Sequence, residues 1–597
     1  MTANRRALVF GASGFLGRWL VRELLSQGVT VVAAVRSRAS FEALSSWLAD
    51  HGQQDAPQAL LVDFAADSLG VAPGDPLLRD VTEVHNVAGA YRFGMTVSEA
   101  REANVVSSER IVRFVAELGS RPHLVHLSGY RVGGQDPATV PWSRERIASE
   151  YKRLGAYEAS KVESDAVVQA LAAELDVPWT IVNPATVIGH AVTGESEQFV
   201  GLADTVRELW AGTLSALPGN DQTLLPVVTI DYLASLMALV PTDPSVAGQS
   251  LWVLDDQTPP LPRMLRMLAA HLGVRAPALR VPAWLLRRLP QAVTRADPET
   301  LTFLSADRYP TGPATRFAER HGLRYPDITS SLQRWADALV AHRFGELAPR
   351  RDQPRSVVSH AGIRTASIGP QDAETVMLPG LPVNAETWAE TAARLNAQVV
   401  DLPGLGQSGG SARQSQAWLH DLLGDRRNVH LVGHSVGAGV ALEYAAAHPE
   451  TVARLTLVAP YFAQPRPGAL LRIGPMTRAA LRRVSPRRLA RIISEPGVGS
   501  TALESSAQDL RTRSAPAAAQ WLSASARREH RTRLQGLLRS YTGKVQIITG
   551  ELDPLLDAVS LSRDGQPAIV QAVISGAGHH PQLSQSRALA DAISAFR

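Results

Sequence analysis

The chain has 597 residues, too many for one ordinary core at roughly 100 to 200 residues per domain, and its balance of 45% apolar to 19% charged residues is that of a folded protein. Its 60 basic and 56 acidic residues leave a formal charge of +4, and with no RNP, zinc or helix-turn-helix signature beside that charge no nucleic-acid partner is expected. The absence of cysteine excludes disulfides, thiolate metal sites and a cysteine nucleophile, and no metal centre is expected.

The N-terminus, MTANRRALVF, runs straight into a strand pattern with no room for a signal peptide, and no uncharged apolar run reaches the about 18 residues of a membrane span. A cytoplasmic protein without a membrane span is therefore expected. From residue 5 to about 240, short β-branched runs (ALVF, VTVVAAV, ALLVDF, EVHNVAG, HLVHLSG, WTIVNP) alternate with helical patterns such as RWLVRELLSQ, which reads as βαβ units on a parallel sheet. From about 250 to 343 the apolar spacing is mainly helical, as in MLRMLAAHLGV, and predicts a smaller substrate-side subdomain. The first domain is thus placed at 1–344.

Within it, GASGFLG (Gly11, Ser13, Gly14, Phe15, Leu16 and Gly17) follows a strand and opens a helix. Glycines there permit a tight turn and close backbone approach to a pyrophosphate at the helix's positive end. The second strand ends VVAAVRSR, with Arg36 and Arg38 where an NAD site usually carries an acid. The pair suits the 2′-phosphate of NADP, the plainer alternative being a solvated surface pair. Asp63 ends the third strand, HNVAG with Asn86 and Ala88 ends the fourth, and Asn104 falls on the next predicted helix. Ser128 ends the fifth strand, and Tyr157 and Lys161 lie four apart on one helical face. Only three lysines occur in the chain, Lys152, Lys161 and Lys544, so a lysine at this spacing from a tyrosine is informative. Pro184 stands in NPATVIG, at the end of the sixth strand.

With these ordered motifs, residues 5–343 resemble the extended short-chain dehydrogenase/reductase family, and VHNVAG, LSGYRVGG and NPATVIGHAVTGE resemble its thioester-reductase and fatty-acyl-reductase branch. The resemblance implies a Rossmann-type doubly wound sheet, an NADP(H) cofactor held by the residues named above, Tyr157 as acid, Ser128 orienting a carbonyl, and Lys161 beside the nicotinamide ribose. The chemistry is sensible. A free phenol, pKa about 10, holds its proton too tightly near neutrality, and an adjacent ammonium favours its ionised form. The compact ammonium fits a narrow cleft better than a planar guanidinium. NPATVIG departs from the commoner arginine-proline form of this loop, which leaves substrate contacts there open. A sugar-nucleotide epimerase or dehydratase on the same fold, or a nucleotide-sensing domain without turnover, are the alternatives.

Polar, proline-containing residues 345–354 read as a linker, and 355–597 as a second domain with a helical, arginine-rich insertion at about 461–540. VGHSVG sets Ser435 between glycines after a strand and before a helix, the pattern of a nucleophile elbow. GELDPLLD follows a further strand and GAGHHPQLS lies near the end. Ser435, Asp553 and His579 then stand in the order serine, acid, histidine, with His580, Asp557 and Glu551 as fallbacks. This half resembles the α/β-hydrolase family. The resemblance implies an oxyanion hole from the backbone N–H groups of Leu381, in MLPGLP, and Val436, a contribution of about 3 to 4 kcal/mol per donor. It also implies an architectural Asp401 in DLPGLGQSG. A serine nucleophile favours esters, thioesters or acyl transfer over dehalogenation or epoxide opening. The expectation is a bifunctional NADP-dependent reductase and serine hydrolase or acyltransferase. Its substrates are expected to be small acyl or carbonyl compounds, carrier-protein or CoA thioesters among them. The insertion's arginines read either as solvated lid faces or as a surface for an acidic or anionic partner, with peripheral membrane contact a third reading.

Overall fold

The runs ALVF and TVVAAV are apolar at successive positions, which suits strands covered on both faces, and they pair as neighbours in a parallel sheet. The computed structural model describes residues 5–72, 74–90, 94–288, 290, 301–350, 352–464, 474–553 and 569–596. In its first sheet seven parallel strands, β1 (Arg6–Phe10), β2 (Thr30–Val35), β3 (Gln58–Leu61), β4 (Glu83–Asn86), β5 (His123–Leu127), β6 (Trp179–Pro184) and β7 (Gln249–Val253), run in the order β7-β6-β5-β4-β1-β2-β3. The order reverses direction between β1 and β4, so a crevice opens at the carboxyl ends of those strands, where this architecture binds ligands. Buried side chains pack both faces, Leu20 and Leu24 on one and Phe10 and Ile111 on the other.

One element departs from the sequence reading. The stretch from about 250 reads as helical, yet QSLWV is β7, pairing with β6 from Gln249↔Thr180 to Val253↔Pro184. Its first two residues are polar and incompletely buried, which leaves too short an apolar run to announce a strand. Helices do follow, at Leu261–His271, Gly312–Arg320 and Ile328–Ala341.

The second sheet has eight strands: β8 (Arg355–His360), β9 (Ile363–Ile368), β10 (Thr375–Leu378), β11 (Gln398–Val400), β12 (Val429–His434), β13 (Val452–Val458), β14 (Lys544–Gly550) and β15 (Val570–Ile574). They run in the order β8-β9-β11-β10-β12-β13-β14-β15. The hairpin β8–β9 and the β9–β11 pair are antiparallel, and the rest of the sheet is parallel. The described part of the insertion between β13 and β14 carries helices Gly474–Leu481, Pro486–Ile493, Glu504–Asp509, Ala515–Ser525 and Arg528–Ser540. The chain divides into two compact units. One comprises Met1–Val206, Leu214–Ala269 and Ala276–Ala336; the other comprises Arg207–Thr213, Ala270–Arg275 and Asp337–Arg597. Among the described residues no helix is long and apolar enough to cross a membrane.

Candidate active sites

In the first unit the chain leaves β1 at Gly11, which has φ +80°, and enters the helix Phe15–Ser26 through an extended Gly14. A Cβ on Gly17 would lie 2.0 Å from Gly11 O, and one on Gly11 would lie 2.8 Å from Ala88 N, so the turn closes only with glycine at these two positions. Gly14 has no side chain to cap the helix, which leaves its positive N-terminus available to an anion. Ser13 lies within this turn, partly buried.

Beyond the turn, a cavity of about 410 Å³ is lined by Phe15, Leu16, Ala88, Ser128, Tyr157, Lys161 and Pro184 among others. The helix Ala156–Glu174 presents Tyr157 and Lys161 on the cavity side. Lys161 is half-buried and lines the cavity. Burial pulls its pKa down to about 8, against the opposing pull of Asp165 one turn further on. Gly89 makes room here, since a Cβ on it would meet Lys161 Nζ at 3.3 Å and Asn104 Oδ1 at 3.2 Å.

Asn104 sits in a single wide turn, Glu102–Val106, that interrupts the helix between Val97–Arg101 and Ser107–Glu117, a distortion common at functional sites. Its Oδ1 accepts from Ala90 N (3.0 Å) and its Nδ2 donates to Ser160 Oγ (2.9 Å), tying the β4 loop to the Tyr157 helix. Asn86 Oδ1 accepts from Ala88 N at 3.2 Å. The hydroxyl of Ser128 is buried, beside the Asp165 carboxylate but without a hydrogen bond of standard geometry. Burial pushes Asp165 up to about 6, although Gln135 N and Gln169 Nε2 both donate to its Oδ2.

Arg36 and Arg38 flank Ser37 at the end of β2, both exposed, and neither has an ion-pair partner among the described residues. Asp63 is exposed beyond β3 and caps its own turn by accepting from Ala65 N at 2.9 Å. None of these three is among the residues that line the cavity.

In the second unit Ser435 occupies the turn from β12 into the helix Val436–Ala447 with φ +50° and ψ −110°, a strained conformation for a residue with a side chain. Small neighbours make the turn possible: a Cβ on Gly437 would lie 2.2 Å from Leu378 O, and one on Gly380 would lie 2.5 Å from Ser435 Cβ. Ser435 Oγ stands 3.2 Å from His579 Nε2, and His579 Nδ1 stands 3.0 Å from Asp553 Oδ2. With Nδ1–H donating to the carboxylate, Nε2 is free to take the serine proton. Gln464 Nε2 also donates to Asp553 Oδ2, at 3.1 Å. The N–H groups of Leu381 and Val436 have no protein acceptor among the described residues, as an oxyanion hole requires.

The fallback residues lie elsewhere. His580 is buried behind His579, its ring 4.9 Å away, and burial holds its pKa well below the ordinary value. Glu551 is committed to Ser575 Oγ and Gly576 N. Asp557 lies outside the described residues. Asp401 is buried, and its two oxygens accept from Ala385 N (2.7 Å) and Gln407 N (2.9 Å); burial pushes its pKa up to about 7.

Residues 9–237 match the family model described as Male sterility protein, an NAD-binding family, and residues 375–592 match the Alpha/beta hydrolase family. The chain joins an extended short-chain dehydrogenase/reductase domain to an α/β-hydrolase domain. Curated relatives of part of the chain include a dTDP-6-deoxy-L-talose 4-dehydrogenase (NAD(P)(+)) of Kitasatospora kifunensis, 27% identical over 33% of this chain and 56% of its own. A nonribosomal peptide synthetase of Emericella nidulans is 27% identical over 32% of this chain and 3% of its own. A linear gramicidin synthase of Brevibacillus parabrevis is 25% identical over 32% and 4%. The chain therefore spans about half the length of the first relative and a small fraction of the others. Among solved structures, the terminal R domain of the myxalamid PKS-NRPS pathway covers 58% of this chain and 93% of its own at 21% identity and TM-score 0.47. The thioesterase domain of the curacin pathway covers 40% and 99% at 18% identity and TM-score 0.32.

Several residues that shape both sites carry no sequence signal. In the reductase domain, Glu197, Gln198, Phe199 and Val200 line the cavity from a loop whose Glu197 is held by Arg18 (Nη1 to Oε1, 2.7 Å). Buried Glu158 accepts from Arg131 Nη2 (3.1 Å) and Thr302 Oγ1 (3.0 Å) on its border. In the hydrolase domain His434 accepts from Gly380 N at 3.1 Å through Nδ1, so its Nε2 carries the proton and donates to His579 O at 3.0 Å. Burial pushes His434 down to about 3, which keeps it neutral as a bridge between the oxyanion loop and the histidine loop.

Proposed function

We propose that this is a bifunctional enzyme in which the first domain reduces a carbonyl or acyl thioester with NADPH and the second hydrolyses or transfers an acyl group through Ser435. The observation that carries the reading is that one chain places Tyr157 and Lys161 on a cavity beside a glycine turn, and Ser435, His579 and Asp553 in a row within hydrogen-bonding distance. The glycine turn, the uncapped helix end and the cavity suit a dinucleotide, which when bound supplies hydride; the exposed Arg36 and Arg38 favour NADP over NAD. Tyr157 then protonates the developing alkoxide, Lys161 holds the phenol's pKa down, and Ser128 orients the carbonyl once its hydroxyl turns to the cavity. In the hydrolase domain His579 takes the proton of Ser435 as it attacks the acyl carbon, and the N–H groups of Leu381 and Val436 receive the oxyanion.

An acyl or peptidyl thioester accords with the peptide synthetase and the gramicidin synthase among the relatives. A broad groove of about 970 Å³ beside the hydrolase insertion gathers Arg413, Arg478, Arg482, Arg483 and Arg527 with no acidic residue on its lining among the described residues, which suits an acidic carrier bearing that thioester. The test is to follow NADPH and NADH consumption with a panel of acyl thioesters, aldehydes and ketones, and in parallel to label the folded protein with a fluorophosphonate. NADPH consumption and label on Ser435 are expected. Cofactor fluorescence that shifts without consumption means a sensor, and an unlabelled Ser435 removes the acyl-transfer half.

A further inference from the structure

The loop that carries His579 is held by a carboxylate from outside the triad. The helix Pro486–Ile493 ends at Ser494, whose left-handed backbone (φ 52°, ψ 33°) turns the chain so that Glu495 leaves the helix toward the loop after β15. Glu495 is 6% exposed. Its Oε1 accepts from Gly578 N at 2.8 Å and its Oε2 from His580 N at 2.8 Å, so one carboxylate receives the backbone N–H on each side of His579. Ser584 Oγ donates to Oε1 at 2.5 Å, and the carboxylate has no cationic partner among the described residues. The fit leaves no slack, since a Cβ on Gly578 would come within 2.7 Å of Glu495 Oε2. With His434 donating to His579 O, both sides of the loop are fixed.

Resting on the reading of Ser435 and His579 as an acyl-transfer relay, we infer that Glu495 is a positioning residue: it clamps the histidine loop, and through it the insertion between β13 and β14 sets whether His579 reaches Ser435. A carboxylate suits the task because two converging N–H donors match its two oxygens and stabilise its charge without a counter-ion. An amide satisfies only one of them. A base displaced by about 1 Å loses on the order of 100-fold in rate.

The experiment uses the full chain with a short p-nitrophenyl ester, fluorophosphonate labelling of Ser435, and hydrogen exchange at the amides of Gly578 and His580. For Glu495→Ala, kcat falls on the order of 100-fold with KM within about threefold of wild type, and the two amides exchange at least about tenfold faster. Glu495→Gln, which keeps the volume and one acceptor, recovers part of the rate and protects one amide, and it decides the matter if the alanine variant does not fold. A folded Glu495→Ala protein with kcat within about threefold of wild type, or with unchanged exchange at both amides, overturns the inference. If wild type itself is not labelled at Ser435, it is the acyl-transfer reading that falls, and amide exchange alone then decides whether the clamp exists.

Discussion

Lys161 shows at the scale of one residue why spacing in the sequence is informative. Tyr157 and Lys161 share a helical face by their separation alone, and strand context places that helix beside the glycine turn, so chain order suffices to propose both. The electrostatics needed the structure, because burial decides that Lys161 titrates near 8 rather than 10.5. The sign is opposite to that of a lysine gaining a partner. Between about pH 8 and 10.5 the unfolded chain binds a proton that the folded chain lacks, so this residue's contribution to stability rises with pH, and its burial cost is fully present at neutrality. Lys161→Met should therefore abolish NADPH-dependent reduction at pH 7 while leaving the melting temperature equal or higher. In wild type, kcat/KM for reduction should fall as pH rises through about 8, as the ammonium is lost. A pH profile flat from 7 to 9, or a methionine variant that still reduces, contradicts the role given to Lys161. His434, Gln464 and Glu495, by contrast, act through distant partners, and nothing near them in sequence announces the contact.

Turns between elements are legible where glycine patterns are tied to a strand on one side and a helix on the other, as at Gly11–Gly17 and around Ser435. The edge strand β7 is not, because its first residues are polar and only its pairing with β6 defines it. A turn that tolerates no Cβ gives a sharp test. Gly17→Ala pushes a methyl group to within 2.0 Å of Gly11 O, so the turn has to open and the helix N-terminus shifts from the pyrophosphate position. NADPH binding measured by fluorescence should weaken at least about tenfold while p-nitrophenyl ester hydrolysis at Ser435 is unchanged. Retained cofactor affinity would mean that the turn does not carry the phosphates. The arginine groove is read at the same scale, since Arg478, Arg482 and Arg483 come from one helix and the turn after it. Replacing these three by glutamate should lower kcat/KM for a carrier-bound thioester by about 10- to 100-fold, and the wild-type rate should itself decline with added salt. Turnover of a small, uncharged thioester should not change. Equal losses on both substrates would assign these arginines to the stability of the insertion instead.

At the scale of the whole molecule the central question is whether two active sites act as one device. The order of domains is legible, because strand alternation stops and restarts along the chain, but joint residence in one chain is not a physical coupling. The geometry bears on the point directly: Ser128, Tyr157 and Lys161 all belong to the first compact unit, and Ser435, Asp553 and His579 to the second, so neither relay borrows a group from the other. Under the proposed function, each step is expected to proceed when the other unit's relay is removed. With small substrates that visit one site, Lys161→Met should leave ester hydrolysis within about twofold of wild type, Ser435→Ala should leave NADPH consumption with an aldehyde within about twofold, and the double variant should lose both without further loss of stability. A substrate that visits both sites behaves differently, because blocking the second site halts it after the first, and the arrested species identifies the order of the steps by mass. If Ser435→Ala slows reduction of a small aldehyde tenfold, the units are coupled by something other than a shared substrate, and the relays cannot be treated as separate machines.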